Sequence, residues 1–584
     1  MRPLSPRALH ILHAARLRAV VAIAVLPALS ACDSLSSLDR RTSDAISRSA
    51  EQIGELATAP SLDPSRYEEG TAFPPRGNDS PYTVNPPANK LEVEPRDPSQ
   101  DTTQDVIDRF TAMVTTPKDA KVLSFPEVLR FASQHAPEYL TAEENYIITA
   151  LQLLIEEHRW GPRFFNDTST GFIANGDTDG RYSTALTVLN DLGVTQKLPY
   201  GGDFSAHMLV QATEQLDNAI QEPDQSANII LNANIPLLRG AGTLAQEALI
   251  QARRDLIYAA RDFQSFRRTF FLDLAADYLQ LIYSKQLINN SEGQVRRSRE
   301  VEARTVALVE AGRTEPFQAD LARQNTLFAI DRLAQLNENF RLAVDRFKVR
   351  LGMDTTIAID VAKEALTLPP LKVTLDDAVR LALAYRLDIQ TESDRVEDAR
   401  RLVDVAKNEL QADLNVRLNA DMGTDPRVTR SGLQFRPGST NYVAGITYSL
   451  PLDRAEEEAR YREAQIRLER QRRALRQTRD QAAVEARLAV RAIEKAQFSI
   501  LISAKNVETS ENRLAAIDAA PDRANARDRT EAVNNLQRAQ DQLEQAQRDL
   551  QLAVVGYLGA TGQLRITTDC QLELPNGFPP NEAP

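Results

Sequence analysis

The sequence predicts a mostly helical α+β chain built from two tandem repeats, each with strands and a long helical hairpin. Composition is the first indication: 26% of the 584 residues are charged, 6% are aromatic and Trp occurs once, which is typical of long amphipathic helices. The second is an internal repeat, because SFPEVLRFA (124–132) returns as TLDDAVRLA (374–382), 250 residues later. The third is a change from a helical to an alternating apolar period within each repeat.

Composition also excludes several classes of protein. A formal net charge of −12 argues against a nucleic-acid partner bound through its phosphates. Two cysteines, Cys32 and Cys570, cannot form a disulfide framework. The sequence contains no HExxH, CxxC or GxxxxGK[ST] motif, and its histidines show no metal-ligand spacing. We therefore expect no enzyme, no cofactor and no metal site.

The N-terminus predicts a secretory signal peptide over residues 1–31. Four arginines precede a ten-residue apolar run at 19–28, which is shorter than the roughly 20 residues that a membrane-spanning helix needs. Leu-Ser-Ala-Cys (29–32) follows directly and resembles the lipobox of bacterial lipoproteins. This resemblance implies that Cys32 is acylated and becomes the first residue of the mature chain. The alternative is an ordinary signal peptide with an incidental cysteine.

Residues 32–118 are rich in Pro, Ser, Asp and Arg and show no sustained apolar period. This composition predicts a disordered, Pro-rich tether, with at most a short helix near 42–56. The periodic pattern begins at residue 119, where we place the start of the first repeat.

The first repeat covers 119–352. It opens with a capping-box pattern, Ser124 to Glu127, and a longer helix follows. Strands are predicted at about 163–175, 185–198, 203–213 and 226–238. A long helical hairpin follows over 243–351 and reverses at EAGRTEP (310–316). The middle two strands have no counterpart in the second repeat, so this inserted hairpin either lengthens a barrel or enlarges an external loop.

The second repeat covers 370–565, after a linker at 353–369 and before a C-terminal tail at 566–584. Strands are predicted at 411–423 and 440–452, because apolar residues alternate with polar ones in QADLNVRLNADM (411–422). Strands of this length fit a tilted transmembrane β-strand, although alternation also fits a half-buried soluble sheet. The long hairpin at 454–559 has Ala-rich stripes, which predict coiled-coil packing against other helices.

Together these features resemble the TolC family of outer-membrane efflux proteins, in its lipoprotein branch. The resemblance rests on the lipobox, the duplicated units, the segment IPLLRGAG (235–242) and the RLG (350–352) and YLG (557–559) closures. It implies a homotrimer in which each chain gives four strands to a twelve-stranded β-barrel above a helical tunnel, here with an extra β-hairpin. It also implies a lipid-anchored protein in the outer membrane of a Gram-negative-type bacterium, extending into the periplasm. Such a protein is the passive exit duct of a tripartite efflux or type I secretion system, with a periplasmic adaptor and an inner-membrane pump as partners.

The resemblance assigns two candidate sites. Gly312, Arg313 and Thr314 match the hairpin tip that docks the adaptor, where a mere helix stop is the alternative. Asp528 and Glu531 are three residues apart on one helix face and match the acidic pair that lines the periplasmic gate. Neighbouring arginines leave open that these two acids form ordinary ion pairs instead.

A different class of function is the main alternative. A lipid-anchored periplasmic coiled-coil protein, structural or adaptor, would have the same anchor and helices but no open pore. Alternating strands at equivalent places in both repeats favour the channel, and an adaptor has one helical hairpin rather than two.

Overall fold

The computed structural model of the protein describes residues 35–54, 60, 62–63, 120–176, 182–215, 224–362, 374–424, 435–519, 525–566 and 572–573. The signal peptide (1–31), Cys32 and Cys570 lie outside these residues, as do most of the tether and most of the C-terminal tail. Within the described residues the chain is mostly helical with one main sheet, as the sequence predicts.

In each repeat a short helix and a longer helix are followed by long strands and then by two long helices. The helices are α1 (Leu35–Gln52), α2 (Phe125–His135), α3 (Pro137–Trp160), α4 (Glu247–Glu310), α5 (Pro316–Leu351), α6 (Leu375–Tyr385), α7 (Leu387–Glu409), α8 (Ala455–Ala519) and α9 (Ala526–Ala560). The strands are β1 (Lys121–Leu123), β2 (Arg163–Gly176), β3 (Tyr182–Lys197), β4 (Asp203–Gln215), β5 (Asp224–Pro236), β6 (Ile359–Val361), β7 (Asp413–Thr424), β8 (Phe435–Ser449), β9 (Arg565–Ile566) and β10 (Leu572–Glu573).

The described residues divide into two compact units. The first draws on the ranges Met1–Leu62, Tyr146–Ala260 and Glu392–Leu475, and it holds the six long strands. The second draws on Asp63–Asn145, Arg261–Thr391 and Arg476–Pro584, and it holds both helical reversals.

Helix α1 lies within the predicted tether, and it begins before the short helix that the sequence allows near 42–56. Its buried residues are small or apolar and recur every three or four positions, namely Thr42, Ala45, Ile46, Ser49 and Ala50. The Ser49 hydroxyl is hydrogen-bonded to the Tyr146 hydroxyl, which also donates to the carbonyl oxygen of Ile46 at 3.3 Å. Serine and threonine supply part of the buried face, so the apolar residues alone do not indicate the full length of this helix.

The first unit contains a six-stranded antiparallel sheet in the order β2-β3-β4-β5-β7-β8. The inserted hairpin β3–β4 therefore lies inside the sheet: β3 pairs with β2 from Thr195 opposite Arg163 to Tyr182 opposite Gly176, and β4 pairs with β5. The sheet therefore contains all six long strands that the sequence predicts.

Two glycines fix the turn between β3 and β4. Gly201 and Gly202 have φ angles of 100° and 85°, values that L-residues with a side chain rarely adopt. A Cβ atom on Gly202 would lie 1.9 Å from the carbonyl oxygen of Asn234 in β5. Only glycine allows this close approach of the turn to the neighbouring strand.

The second unit packs around small side chains. One apolar cluster joins α6, α8, α9 and the residues that follow α9, and it consists of Ala378, Ala382, Ala486, Val490, Ile493, Val554, Tyr557, Leu558 and Leu564. Alanine at these positions lets the helices approach closely. The predicted linker at 353–369 contributes a strand to this unit, because β6 pairs in parallel with β1.

Within the part of the chain that the structure describes, none of the helices is both long enough and apolar enough to cross a bilayer.

Two buried tyrosines of the second unit differ in hydrogen bonding. Among the described residues the fully buried Tyr557 hydroxyl has no hydrogen-bond partner, and burial raises the pKa of Tyr557 to about 12. The buried Tyr278 hydroxyl instead donates to the carbonyl oxygen of Leu123 at 3.1 Å. An unsatisfied buried polar group costs about 1–3 kcal/mol.

We therefore expect Tyr557→Phe to raise the free energy of unfolding by about 1 kcal/mol, because it removes the unsatisfied hydroxyl. The matched control Tyr278→Phe should lower it by a similar amount, because it removes a buried hydrogen bond to the carbonyl oxygen of Leu123, which also accepts the N–H of Ala362 at 3.2 Å. Thermal melting followed by circular dichroism in detergent measures both. A lower melting temperature for Tyr557→Phe would contradict this account.

Candidate functional site

The six-stranded sheet has one apolar face, whose side chains are half-buried or exposed. Residues directly opposite each other in antiparallel strands share a face, so the pairing register defines which side chains lie together. The apolar face carries Leu186, Val188, Leu192, Val194, Phe204, Met208, Val210, Ile229, Leu231, Leu414, Val416, Leu418, Tyr442, Ile446 and Tyr448. Tyr442 is 79% exposed and Ile446 is 73% exposed. An apolar surface of this extent marks contact with lipid or protein.

The polar face of the same sheet carries amide, hydroxyl and charged side chains. They are Thr187, Asp191, Thr195, Ser205, His207, Gln211, Asn228, Asn232, Asn234, Arg417, Asn419 and Asp421. Several bond across strands: Asn419 donates to Asn232 at 2.7 Å, and His207 lies 3.3 Å from Asp191. These side chains make a surface suited to water.

Strand β2 departs from this alternation. On the apolar face Phe164 and Phe172 bracket the polar residues Asn166, Thr168 and Thr170. Asn190 of β3 donates to Asn166 at 2.7 Å and to Thr168 at 2.8 Å, so the polar groups satisfy one another. The sequence alone gives little support for an amphipathic strand here.

The first helical reversal is built by Gly312. Its φ angle is 69°, and the N–H of Arg313 donates to the carbonyl oxygen of Leu308 at 2.8 Å, which is the bonding pattern of a glycine-capped helix end. Gly312 and Arg313 are exposed and Thr314 is half-buried. Phe317, at the start of α5, is 64% exposed. The sequence analysis did not identify this aromatic side chain, although its place directly after the reversal is a usable signal.

The second reversal includes residues 520–524, and Pro521 with them lies outside the described residues. Helix α9 begins after Asn525, whose side chain accepts the N–H of Asp528 at 2.8 Å. The N–H of Ala526 donates to the side chain of Gln318 at 3.3 Å. The starts of α5 and α9 therefore lie side by side.

The two predicted gate acids have local partners at this end. The Asp528 carboxylate accepts the N–H of Asn525 at 3.3 Å and completes a capping box. Glu531 forms an ion pair with Arg513 of α8 at 3.2 Å, with both side chains about half exposed. An exposed pair of this kind contributes about 0–1 kcal/mol. Whether the two acids line a gate stays a prediction.

A partly buried polar cluster, which we call the polar seam, joins the two helical hairpins. It consists of Asn290 and Gln294 from α4, Arg332 from α5, and Asn534, Gln537 and Asp541 from α9. Asp541 accepts hydrogen bonds from Asn290 at 3.2 Å, Gln537 at 2.9 Å and Arg332 at 2.7 Å. Burial nevertheless raises the pKa of the Asp541 carboxyl, and the charge of Arg332 lowers it. The sequence analysis missed this seam, because its members are far apart in the chain.

Helix α8 exposes apolar side chains beside a groove. The groove, about 560 Å³, lies between α8 and α9 and is lined mainly by alanine and leucine, including Leu488, Ala492 and Leu552. Leu488, Phe498 and Leu501 are more than 60% exposed. Such a stripe on a long helix is suited to packing against further helices.

The comparisons with known proteins identify the fold. No family model matches the chain, and no curated protein matches it. Among solved structures, the CmeC outer membrane channel of Campylobacter jejuni aligns over 75% of this chain and 85% of its own, with TM-score 0.58 and 13% sequence identity. VceC of Vibrio cholerae aligns over 75% and 96%, with TM-score 0.58 and 16% identity. MtrE of Neisseria gonorrhoeae, an outer membrane channel in its open state, aligns over 75% and 88%, with TM-score 0.52 and 14% identity.

At sequence identities of 13–16%, structural similarity shows the fold of the chain and not its function. The chain therefore has a TolC-like fold, as its resemblance predicts.

The polar seam gives a pH-dependent prediction. Arg332→Ala removes the charge that lowers the pKa of Asp541, so that pKa rises further above its unfolded value. A carboxyl with a raised native pKa stabilises the fold less as pH rises. We expect Arg332→Ala to lower the melting temperature more at about pH 7.5 than at about pH 5.

The control is the same substitution in an Asp541→Asn background. Position 541 cannot titrate there, so the effect of Arg332→Ala should lose the pH dependence that Asp541 contributes. Equal pH dependence in both backgrounds would exclude Asp541 as its origin.

Proposed function

We propose that this protein is the outer-membrane channel of a tripartite efflux or type I secretion system. In this role it is a passive exit duct and not an enzyme. One observation carries the proposal: a long antiparallel sheet exposes an apolar face on one side and a polar face on the other. A sheet of this kind fits a wall between lipid and water. The TolC-like fold shared with outer membrane channels supports the same function.

The proposal includes a homotrimer. One chain cannot close its sheet, and open strand edges are not tolerated in lipid. The exposed apolar stripe of α8, with Leu488, Phe498 and Leu501, offers a surface on which helices of a second copy would bury apolar area. In this assembly acylated Cys32 anchors each chain in the outer membrane, and the helices extend into the periplasm.

Partners would bind at the helical reversals. We propose that Gly312, Arg313 and Thr314 dock the periplasmic adaptor, which connects the duct to an inner-membrane pump. Phe317 joins them, because it is an exposed aromatic residue four positions after the exposed Arg313, and aromatic residues and arginine are enriched in protein interfaces. We further propose that Asp528 and Glu531 of three copies form an acidic ring that favours cations.

Arginine substitutions on the two faces of the sheet test whether the apolar face meets lipid. Ile446 lies on the apolar face opposite Val416, and the next residue, Thr447, lies on the polar face opposite Asn415. Arginine on the lipid side of a barrel strand costs about 2–4 kcal/mol near the bilayer midplane. Because Ile446 lies nearer the end of β8 than its middle, Ile446→Arg should lower the yield of heat-modifiable oligomers, whereas Thr447→Arg should assemble and conduct in planar bilayers. Equal tolerance of both variants would show that this face does not meet lipid and would refute the proposal.

Substitutions at the first helical reversal should impair adaptor binding without impairing assembly of the oligomer. Arg313→Glu combined with Phe317→Ala should weaken adaptor binding by about tenfold or more, because two contacts worth about 1 kcal/mol each are lost. Pump-dependent dye efflux should fall while oligomers still form. The matched control is Phe328→Ala, because it removes an equally exposed aromatic side chain of α5 that lies outside the proposed docking residues. Normal efflux in the double variant would exclude this end as the docking surface.

The acidic ring predicts a change in ion selectivity. Asp528→Asn with Glu531→Gln removes both charges but keeps a side-chain acceptor for the capping box. The reversal potential in a salt gradient should show weaker cation preference, and Arg513→Gln, which releases Glu531 from its ion pair, should strengthen it. Reversal potentials equal to wild type in both variants would remove these acids from the gate.

A further inference from the structure

We infer that the inserted hairpin β3–β4 is part of the barrel wall, so that three copies close an eighteen-stranded barrel through pairing of β8 with β2 of the next copy. This inference rests on the proposed channel function and concerns the width of its exit. Three copies of the observed six-stranded sheet give this strand number.

The hairpin is paired on both sides along its length. Strand β3 pairs with β2 from Thr195 opposite Arg163 onward, and β4 pairs with β5 from Asp203 opposite Asn234 to Thr213 opposite Asp224. An external loop would leave β2 next to β5 and would break both sets of backbone hydrogen bonds. Even if β2 and β5 then paired with each other, the chain would form no more backbone hydrogen bonds than it has in the observed sheet.

The hairpin also continues both faces of the sheet. On the apolar side Met208 lies opposite Ile229, which lies opposite Met422. On the polar side the Asn232 side chain, which bonds to Asn419, also donates to Ser205 at 3.5 Å. A hairpin projecting into water would expose the apolar residues of β3 and β4, whereas in a barrel wall they meet lipid and the polar ones meet water.

The turn of the hairpin is anchored at the end of the sheet. The carbonyl oxygen of Tyr200 accepts the N–H of Gly242 at 2.8 Å, and that of Pro199 accepts the side chain of Gln246 at 2.7 Å. Gly202 lies so close to Asn234 that a Cβ atom would not fit. The turn is therefore held against the segment that leads from β5 into α4.

The strand number allows closure by identical copies. Among the strands of this sheet, β2 and β8 have one neighbour each. Because the sheet has an even number of antiparallel strands, its first and last strands run in opposite directions, so β8 and β2 of a copy related by rotation pair antiparallel. The two edges also match in length, with 14 residues in β2 and 15 in β8. A hairpin adds two strands, so the number of strands in the sheet stays even.

The consequence is a wider exit. Barrel diameter grows about linearly with strand number, so eighteen strands give a barrel about 1.5 times as wide as twelve. Barrels of about 16–18 strands leave an aqueous channel. The outer-membrane end of this duct would then admit solutes of larger cross-section than a twelve-stranded barrel does.

Cysteine pairs in the full chain test the edge contact. In a Cys570→Ser background, Ser169→Cys in β2 is combined in turn with Asn441→Cys, Val443→Cys, Gly445→Cys and Thr447→Cys in β8. We expect at least one pair to give disulfide-linked dimers and trimers in outer membranes, while each single variant gives none. Ser205→Cys with Asn232→Cys, opposite each other in β4 and β5, should crosslink within one chain.

Electron cryomicroscopy of the purified assembly counts the strands directly. We expect eighteen in the wild type and twelve in a variant that lacks residues 182–215. Twelve strands in the wild type, or crosslinking of Ser169→Cys to cysteines in β5, would overturn the inference.

Planar-bilayer conductance separates this inference from the proposed function. A conducting twelve-stranded assembly would leave the channel function standing and refute the strand number. An eighteen-stranded assembly that never conducts would confirm the strand number and refute the channel function.

Discussion

The structure depends on one constraint: the backbone N–H and C=O groups at the two edges of the main sheet need hydrogen-bond partners. The same sheet is apolar on one face and polar on the other. Strands β2 and β8 each end the sheet with a row of backbone groups directed away from it. In lipid, an unpaired row of this kind costs several kcal/mol per group. The exposed face of Tyr442, Ile446 and Tyr448 is equally unsuited to water. The proposed membrane insertion, with closure by further copies, would answer both problems at once.

The helices solve a different packing problem. Alanine at the contacts of α6, α8 and α9 allows close approach but buries little apolar area per residue. The polar seam adds specificity, because Asp541 requires Asn290, Gln537 and Arg332 in one arrangement. Burial of the carboxylate works against stability, and the three donors offset that cost. The seam therefore fixes the register of the two hairpins more than it strengthens them.

The helical reversals show how one local structure can serve two purposes. Gly312 ends α4, and Arg313 and Phe317 beyond it are exposed. Asp528 caps α9 and also supplies a charge near the second reversal. A capping residue is held in place by its own backbone contacts, so its carboxylate is positioned before any partner or ion arrives. These positions suit the proposed docking end and acidic ring.

The sequence by itself determined the local elements, because their signals depend on residues close together in the chain. Alternation in 411–422 predicts β7, the capping boxes predict helix starts, and a glycine marks the first reversal. Only the tertiary structure decided which strands are neighbours, that the inserted hairpin lies inside the sheet, that α1 packs on Tyr146, and that Glu531 pairs with Arg513. The polar seam belongs to this second group, since Asn290 and Asp541 are 251 residues apart. Such contacts depend on side chains that meet only after the chain has folded, so no local period or spacing encodes them.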